Sequence, residues 1–341
     1  MDLLQNPFYI LNVTPQDNRQ RILELAEEKL LLTDSEEYTQ AKSDLTNPRK
    51  RVSVEIAWLP GLGLEHTAEV IALISNSVFE LLSVDKILPI AKANILAAGF
   101  IRLSEPYSSE EIAEWILELA WVFEDINLEE TCSVINKERT VSGFPEVSDI
   151  SVVEVEIEER RRYFRQVIKL ALDKLYSQDL VKVVTMVIEL TTDNGSKQAP
   201  ILIDDLVDAY EVEAQDFLEK EAKNVETLIT KIKQAADSRK SDSVIDGIIS
   251  QLFHVIKNWD IVAQPIQVSK KSRGLDHDAS YNLAVLVRNL AIHLFAKHRK
   301  LNISQRLTNL LQEVFAEVTK VSDLTEEDAN ILQRIAQGNK G

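Results

Sequence analysis

Apolar side chains recur at helical spacing through most of the chain, and near the N-terminus they fall into four runs divided by turn signals. Phe8, Ile10, Leu11 and Val13 make a short run between Asn6-Pro7 and Thr14-Pro15. Asp17 with Gln20 after it reads as a capping box for a longer helix carrying Ile22, Leu25, Ala26 and Leu30 on one face. Asp34 or Ser35 caps a third helix, in which Tyr38, Ala41 and Leu45 recur until Asn47-Pro48 stops it. Pro48 suits the first position of a fourth, whose apolar face is Val52, Ile56 and Leu59. Phe8, Leu11, Ile22, Leu25, Leu45 and Ile56 are therefore expected to share one core.

Beyond Pro60-Gly61 the spacing predicts helices over 65–82 and 87–103, then one from 108 to 126 opened by a Ser108–Glu111 capping box. Gly143-Phe144-Pro145 breaks the pattern and marks a domain boundary. The stretch 152-VVEVEI-157 alternates like a strand but runs without punctuation into 158-EERRRYFRQVIKLALDKL-175, so it is read as the start of a helix. Helices over 179–192, 199–236 and 242–258 follow, and two or three more reach residue 336. Residues 259–278 form the longest stretch without a helical period. The expected fold is all-α, with a four-helix module over 1–60, a helical domain over 61–145 and a C-terminal helical domain over 146–341. No fixed repeat period stands out, so the later units read as helical bundle or solenoid-like.

Composition narrows the function classes. With 55 acidic against 38 basic residues the net charge is -17, a field that repels phosphate backbones and anionic lipid, so nucleic acid and membrane partners are disfavoured. Cys132 is the only cysteine, which rules out an intrachain disulfide and suits a reducing compartment. The start MDLLQNPFYILNV has no basic region ahead of its apolar residues, and the longest apolar run is 95-ILAAGFI-101. A cytoplasmic location is expected.

Against the acidic background, 44-DLTNPRKR-51 gathers Arg49, Lys50 and Arg51 in the first turn of the fourth helix. Cations there oppose the helix dipole, so either a partner or pairing with Glu36, Glu37 and Asp44 favours them. Together, 6-NPFYILNVTP-15, the helix after it and 45-LTNPRKR-51 resemble a J domain, the module by which co-chaperones engage DnaK-type chaperone ATPases. The resemblance covers residues 5–60 and implies a protein partner, with a DnaK-type chaperone or a protein encoded nearby as candidates. A working J domain carries His-Pro-Asp between its second and third helices; here that connection reads 30-LLLTDSEE-37, and the second helix mixes Arg19, Arg21 and Lys29 with Glu24, Glu27 and Glu28. The fold is therefore expected without the ATPase-stimulating activity. Residues 259–267 and 274–295 are similar to a bacterial family whose N-termini are also J-like, a likeness that implies no activity.

Two other constellations carry chemistry. The stretch 59-LPGLGLEHTAEVIALI-74 is similar to the hairpin of helix-hairpin-helix DNA-binding motifs, with Gly61 and Gly63 where backbone N–H groups hold a phosphate. Leu64 and Glu65 stand where positive charge is wanted, so a packing turn is the favoured reading. Asp276, His277 and Asp278 offer hard ligands without a placed fourth, and Ser280 beside His277 suggests a hydrolase only weakly. His293 and His298 lie about 140° apart around a helix, which argues against a shared metal. No catalytic residue, metal or cofactor is assigned. The leading function is a non-enzymatic protein-interaction adaptor, co-chaperone-like and contacting its partner through Arg49, Lys50 and Arg51. The alternatives are a nucleic-acid-associated protein using the Gly61–Gly63 hairpin and a hydrolase or metal enzyme around Asp276–His293.

Overall fold

The computed structural model describes residues 1–33, 35–103 and 107–338, and all regular elements among them are helices. After a 3-10 turn at Leu3–Gln5, the first four α-helices are α1 (Pro7–Leu11), α2 (Arg19–Leu32), α3 (Glu36–Thr46) and α4 (Pro48–Ile56). Their ends are set by short polar side chains. Asn6 accepts from the Phe8 amide, and Asn12 takes the left-handed conformation at φ 55° to close α1. Asn18, not Asp17, caps α2 by accepting from the Arg21 amide. Asp17 instead accepts from the Thr14 amide and hydroxyl at 2.7 and 2.9 Å, closing the turn before the helix. Ser35 caps α3, while the alternative cap Asp34 lies outside the described residues. Asn47 accepts from the Arg49 and Lys50 amides, with Pro48 at the first helical position as expected.

Next come α5 (Leu64–Asn76), a short 3-10 segment at Val78–Ser83, α6 (Pro89–Ile101), α7 (Ser109–Glu124), α8 (Leu128–Ser142) and α9 (Ile150–Leu172). The Ser108–Glu111 capping box forms as the sequence predicts. The alternating stretch 152–157 is helical: Val153 and Ile157, one turn apart, face the core while Val155 between them is exposed. The rest of the chain is α10 (Ser177–Thr192), α11 (Ile201–Asp237), α12 (Asp242–Ser272), α13 (Asp278–His298), α14 (Leu301–Val314) and α15 (Thr319–Gly338). No helix among the described residues is long and apolar enough to cross a membrane.

The chain divides into two compact units, Met1–Val183 with Pro200–Leu202, and Val184–Ala199 with Ile203–Gly341. The boundaries expected after residues 60 and 145 both fall within the first.

In the first unit Phe8, Leu11, Ile22 and Leu45 are buried, and Leu25 is half-buried. Ile56 is also buried but belongs to a different cluster, with Val52, Ile90, Ile135, Val153 and Ile157. α4 thus has two packed sides, because α3 lies against one and α9 against the other. α6 is buried almost throughout, and its close neighbours explain Gly99: a Cβ there would stand 2.7 Å from Leu81 and 2.8 Å from Trp115. Its Asn94 donates to the Ile56 and Trp58 carbonyls left over at the end of α4, and accepts from Arg160 of α9.

In the second unit α12 runs through residues 259–272, where the sequence shows no helical period. Pro265 sits inside this helix, and Tyr210 donates to the Val262 carbonyl at 2.9 Å one turn earlier. Proline removes an amide and crowds the carbonyl four residues back, so a helix tolerates it only where neighbouring groups supply other contacts. The buried Trp259 packs against Phe315 with ring centroids 5.9 Å apart.

Candidate functional site

The three basic residues that open α4 have different fates. Arg49 is exposed. Lys50 pairs with Asp44 at 3.2 Å on the surface, one of the pairings that the sequence offers. Arg51 is fully buried, so it is not available to a partner and the expected contact patch reduces to Arg49 and Lys50.

Arg51 enters the interior because everything it needs is there. Its Nε donates to Glu55 Oε1 at 2.7 Å, Nη2 to the Pro15 carbonyl at 2.8 Å and Nη1 to the Leu45 carbonyl at 3.3 Å. Its guanidinium lies over the Phe144 ring at 4.0 Å. The other oxygen of Glu55 accepts from Arg139 Nε at 2.8 Å, and Arg139 donates onward to the Pro145 and Pro48 carbonyls at 3.0 Å each. Burial pushes the Glu55 carboxyl up and Arg51 down, and the two guanidiniums oppose the shift at Glu55. With every arm of the two arginines engaged, the triad ties α4 and α8 to the end of α3, the turn before α2 and the loop after α8.

The Gly61–Gly63 hairpin lies beside α8. Gly61 has φ +80°, and its N–H donates to Glu138 Oε1 at 3.0 Å. A Cβ at this position would also meet Val134 at 3.2 Å, so glycine fits here for two reasons. The amide that the DNA-hairpin resemblance reserves for a phosphate is thus held by an internal carboxylate. Gly63 is the N-cap of α5 and has no side chain to cap it.

Glu138 is the residue that stands apart. It is 8% exposed, yet its Oε2 has no hydrogen-bond partner. Desolvation, the largest cause, and the Glu55 charge raise its pKa to about 7, against the Gly61 hydrogen bond and Arg51, which lower it. Glu138 lines a cleft of about 620 Å³ between the end of α1, Trp58 and the outer side of α5. Tyr9, Leu64 and Ala68 give the cleft an accessible apolar wall. Among the described residues that line it, Glu138 is the one carboxylate and none is basic.

Around Asp276–His293 the candidate residues fall into two separate groups. His277 caps no amide through its side chain; its Nδ1 lies 2.7 Å from Ser280 Oγ, which also accepts from Gln267 at 3.1 Å. Ser280 is fully buried, so this hydroxyl is not presented to a substrate. Asp276 pairs with Lys320 at 2.9 Å. His293 and His298, which helical spacing separates, are brought together: their ring centroids are 5.5 Å apart, and Asp237 of α11 joins them. The rings meet although helical spacing sets them about 140° apart, and His298 is the last residue of its helix.

No protein-family model, no curated protein and no solved structure matches the chain. Glu55, Glu138, Arg139 and Asp237 were not singled out by the sequence. Asn127 and Gly143, a cap residue and a left-handed terminator, bracket the helix that carries two of them.

Proposed function

We propose that the chain is a non-enzymatic protein-interaction adaptor whose first unit holds a basic segment of a partner protein in the Glu138 cleft. One observation carries this reading: a carboxylate with one unpartnered oxygen belongs to a residue lining a cleft that has apolar walls and no basic lining residue. An unmade hydrogen bond to such a group is costly, and a lysine or arginine that supplied it would gain about 2 kcal/mol. Apolar neighbours of that cation would cover Tyr9 and Leu64. Because Glu138 ionises near neutrality, capture strengthens as pH rises through about 7.

The J-like order of residues 5–60 fits an adaptor role. The sequence lacks the His-Pro-Asp motif, so stimulation of a DnaK-type ATPase is not part of the reading. The Gly61 amide is engaged by a carboxylate, which speaks against phosphate capture.

A peptide-display selection on the immobilised protein tests the proposal. Enriched peptides are expected to share one Lys or Arg flanked by apolar residues, and to lose binding on Glu138→Gln and on Ala68→Trp, which fills the cleft from an exposed position. Peptides without a basic residue, or binding indifferent to both substitutions, would overturn it.

A further inference from the structure

The second unit contains a cluster of a different kind. Asp237, His293 and His298 each place a ligand atom within 4.8 Å of the others. His298 Nε2 lies 2.9 Å from Asp237 Oδ1, and His293 Nε2 lies 3.9 Å from the same oxygen. These two separations bracket the roughly 3.3 Å between neighbouring ligands that metal bonds of about 2.0–2.1 Å give in a tetrahedron. His293 Nε2 is buried and has no hydrogen-bond partner, a vacancy that a neighbouring donor would normally fill. Asp237 is the last residue of α11 and His298 the last of α13. Two helix C-termini meet there, and their exposed carbonyl ends favour a cation.

The geometry points to a divalent transition-metal site in which Asp237, His293 and His298 each give one ligand to a zinc-type ion, with a fourth position open to water. Two imidazoles and a carboxylate suit zinc and its first-row neighbours better than calcium or magnesium, which prefer oxygen alone. The ion takes the place of the direct contact between His298 and Asp237. It also displaces Lys297, whose Nζ is 2.7 Å from Asp237 Oδ1. That lysine is 56% exposed and free to turn outward, and Lys233 is a second positive charge near His293. Both cations compete with a metal, so removing Lys297 strengthens the site. Bound, the ion clamps the end of α11 to the end of α13.

Isothermal titration of the full chain with zinc alone tests this, with folding of each variant checked by circular dichroism. One ion per chain is expected to bind, with protons released as the ligands are taken up. His293→Ala and His298→Ala should each weaken binding by at least the about tenfold that loss of even an outer-shell partner costs. His254→Ala should change nothing, since that residue lies on α12 outside the cluster. Lys297→Met should tighten binding, which a merely structural histidine pair would not do. The proposal is overturned if zinc binds neither the parent nor Lys297→Met, or if it binds His293→Ala and His298→Ala as tightly as the parent.

Discussion

The Arg51–Glu55–Arg139 and Asp237–His293–His298 groups have the same make-up, one carboxylate between two nitrogen bases, in opposite surroundings. In the first, each oxygen of Glu55 holds one guanidinium, and the remaining arms reach the carbonyls of Leu45, Pro15, Pro145 and Pro48. In the second, one oxygen of Asp237 takes both His298 and Lys297, while His293 Nε2 has no partner. The difference follows the solvent: the side chain of Glu55 is 1% exposed and that of Asp237 45%. A charge far from water must be saturated by the chain itself. Asp237 lies within reach of water and keeps exchangeable partners, while the His293 Nε2 beside it is buried without one, and that gap is what an exogenous ion would fill. Glu138 stands between the two cases, buried like Glu55 and unsaturated like His293.

The strongest way to break this comparison is to remove one arm of the saturated group. Arg51→Ala or Arg139→Ala should cost about 3–5 kcal/mol in urea denaturation, because a buried carboxylate loses half its compensation. Replacing a buried triad entirely with apolar side chains is often neutral. Here the four carbonyls would lose their donors as well, so Arg51→Met/Glu55→Leu/Arg139→Met should remain at least about 2 kcal/mol below the parent. Full recovery by the triple variant would show that saturation is not the purpose of the triad.

Glu138 sharpens the middle case. A carboxyl whose folded pKa is raised from 4.5 to about 7 leaves stability intact below pH 4.5 and subtracts from it as pH rises towards 7. Glu138→Gln keeps the acceptor for Gly61 and removes the titration. Between pH 5 and pH 8 the parent should lose about 2 kcal/mol more than the variant, measured by denaturation at both values. Asp260, also pushed up to about 7 by burial, adds a slope of the same sign to both proteins. Equal slopes would place the Glu138 proton elsewhere.

The smallest effect is expected beside the largest. Arg49→Glu with Lys50→Glu, next to the buried Arg51, should change stability by no more than about 0.5 kcal/mol. The double variant and the parent should both leave a DnaK-type ATPase at its basal rate. Robust stimulation by the full chain would mean that His-Pro-Asp is dispensable.

Much of the helical frame was legible because its signals are local. Asn47-Pro48, the Ser108–Glu111 box and the apolar stripes of α1 to α4 depend on residues within a turn or two of one another. α8 was missed for a physical reason: its buried face is Thr131, Ile135, Glu138, Arg139 and Ser142, a helical period written mostly in polar residues. A hydrophobicity reading does not register such a face, yet it supplies both the triad and the cleft. The helical course through residues 259–272 was hidden by Pro265, and the basic run at 49–51 did not reveal which of its members turns inward. Burial and pairing at a distance decide those matters: Arg139 meets Glu55 across 84 positions and Asp237 meets His298 across 61.

That 84-residue separation bears on synthesis. At about 5–20 residues per second, Glu55 and Arg51 wait roughly 4–17 s after translation for Arg139 to follow. The face of α4 carrying Val52 and Ile56 waits as well, since Ile135 arrives shortly before Arg139 and Val153 and Ile157 come later still. During that interval the nascent chain holds an apolar strip and a carboxylate with half its counter-charge. α1, α2 and α3 already pack on one another, but α4 completes its packing only when α8 and α9 arrive.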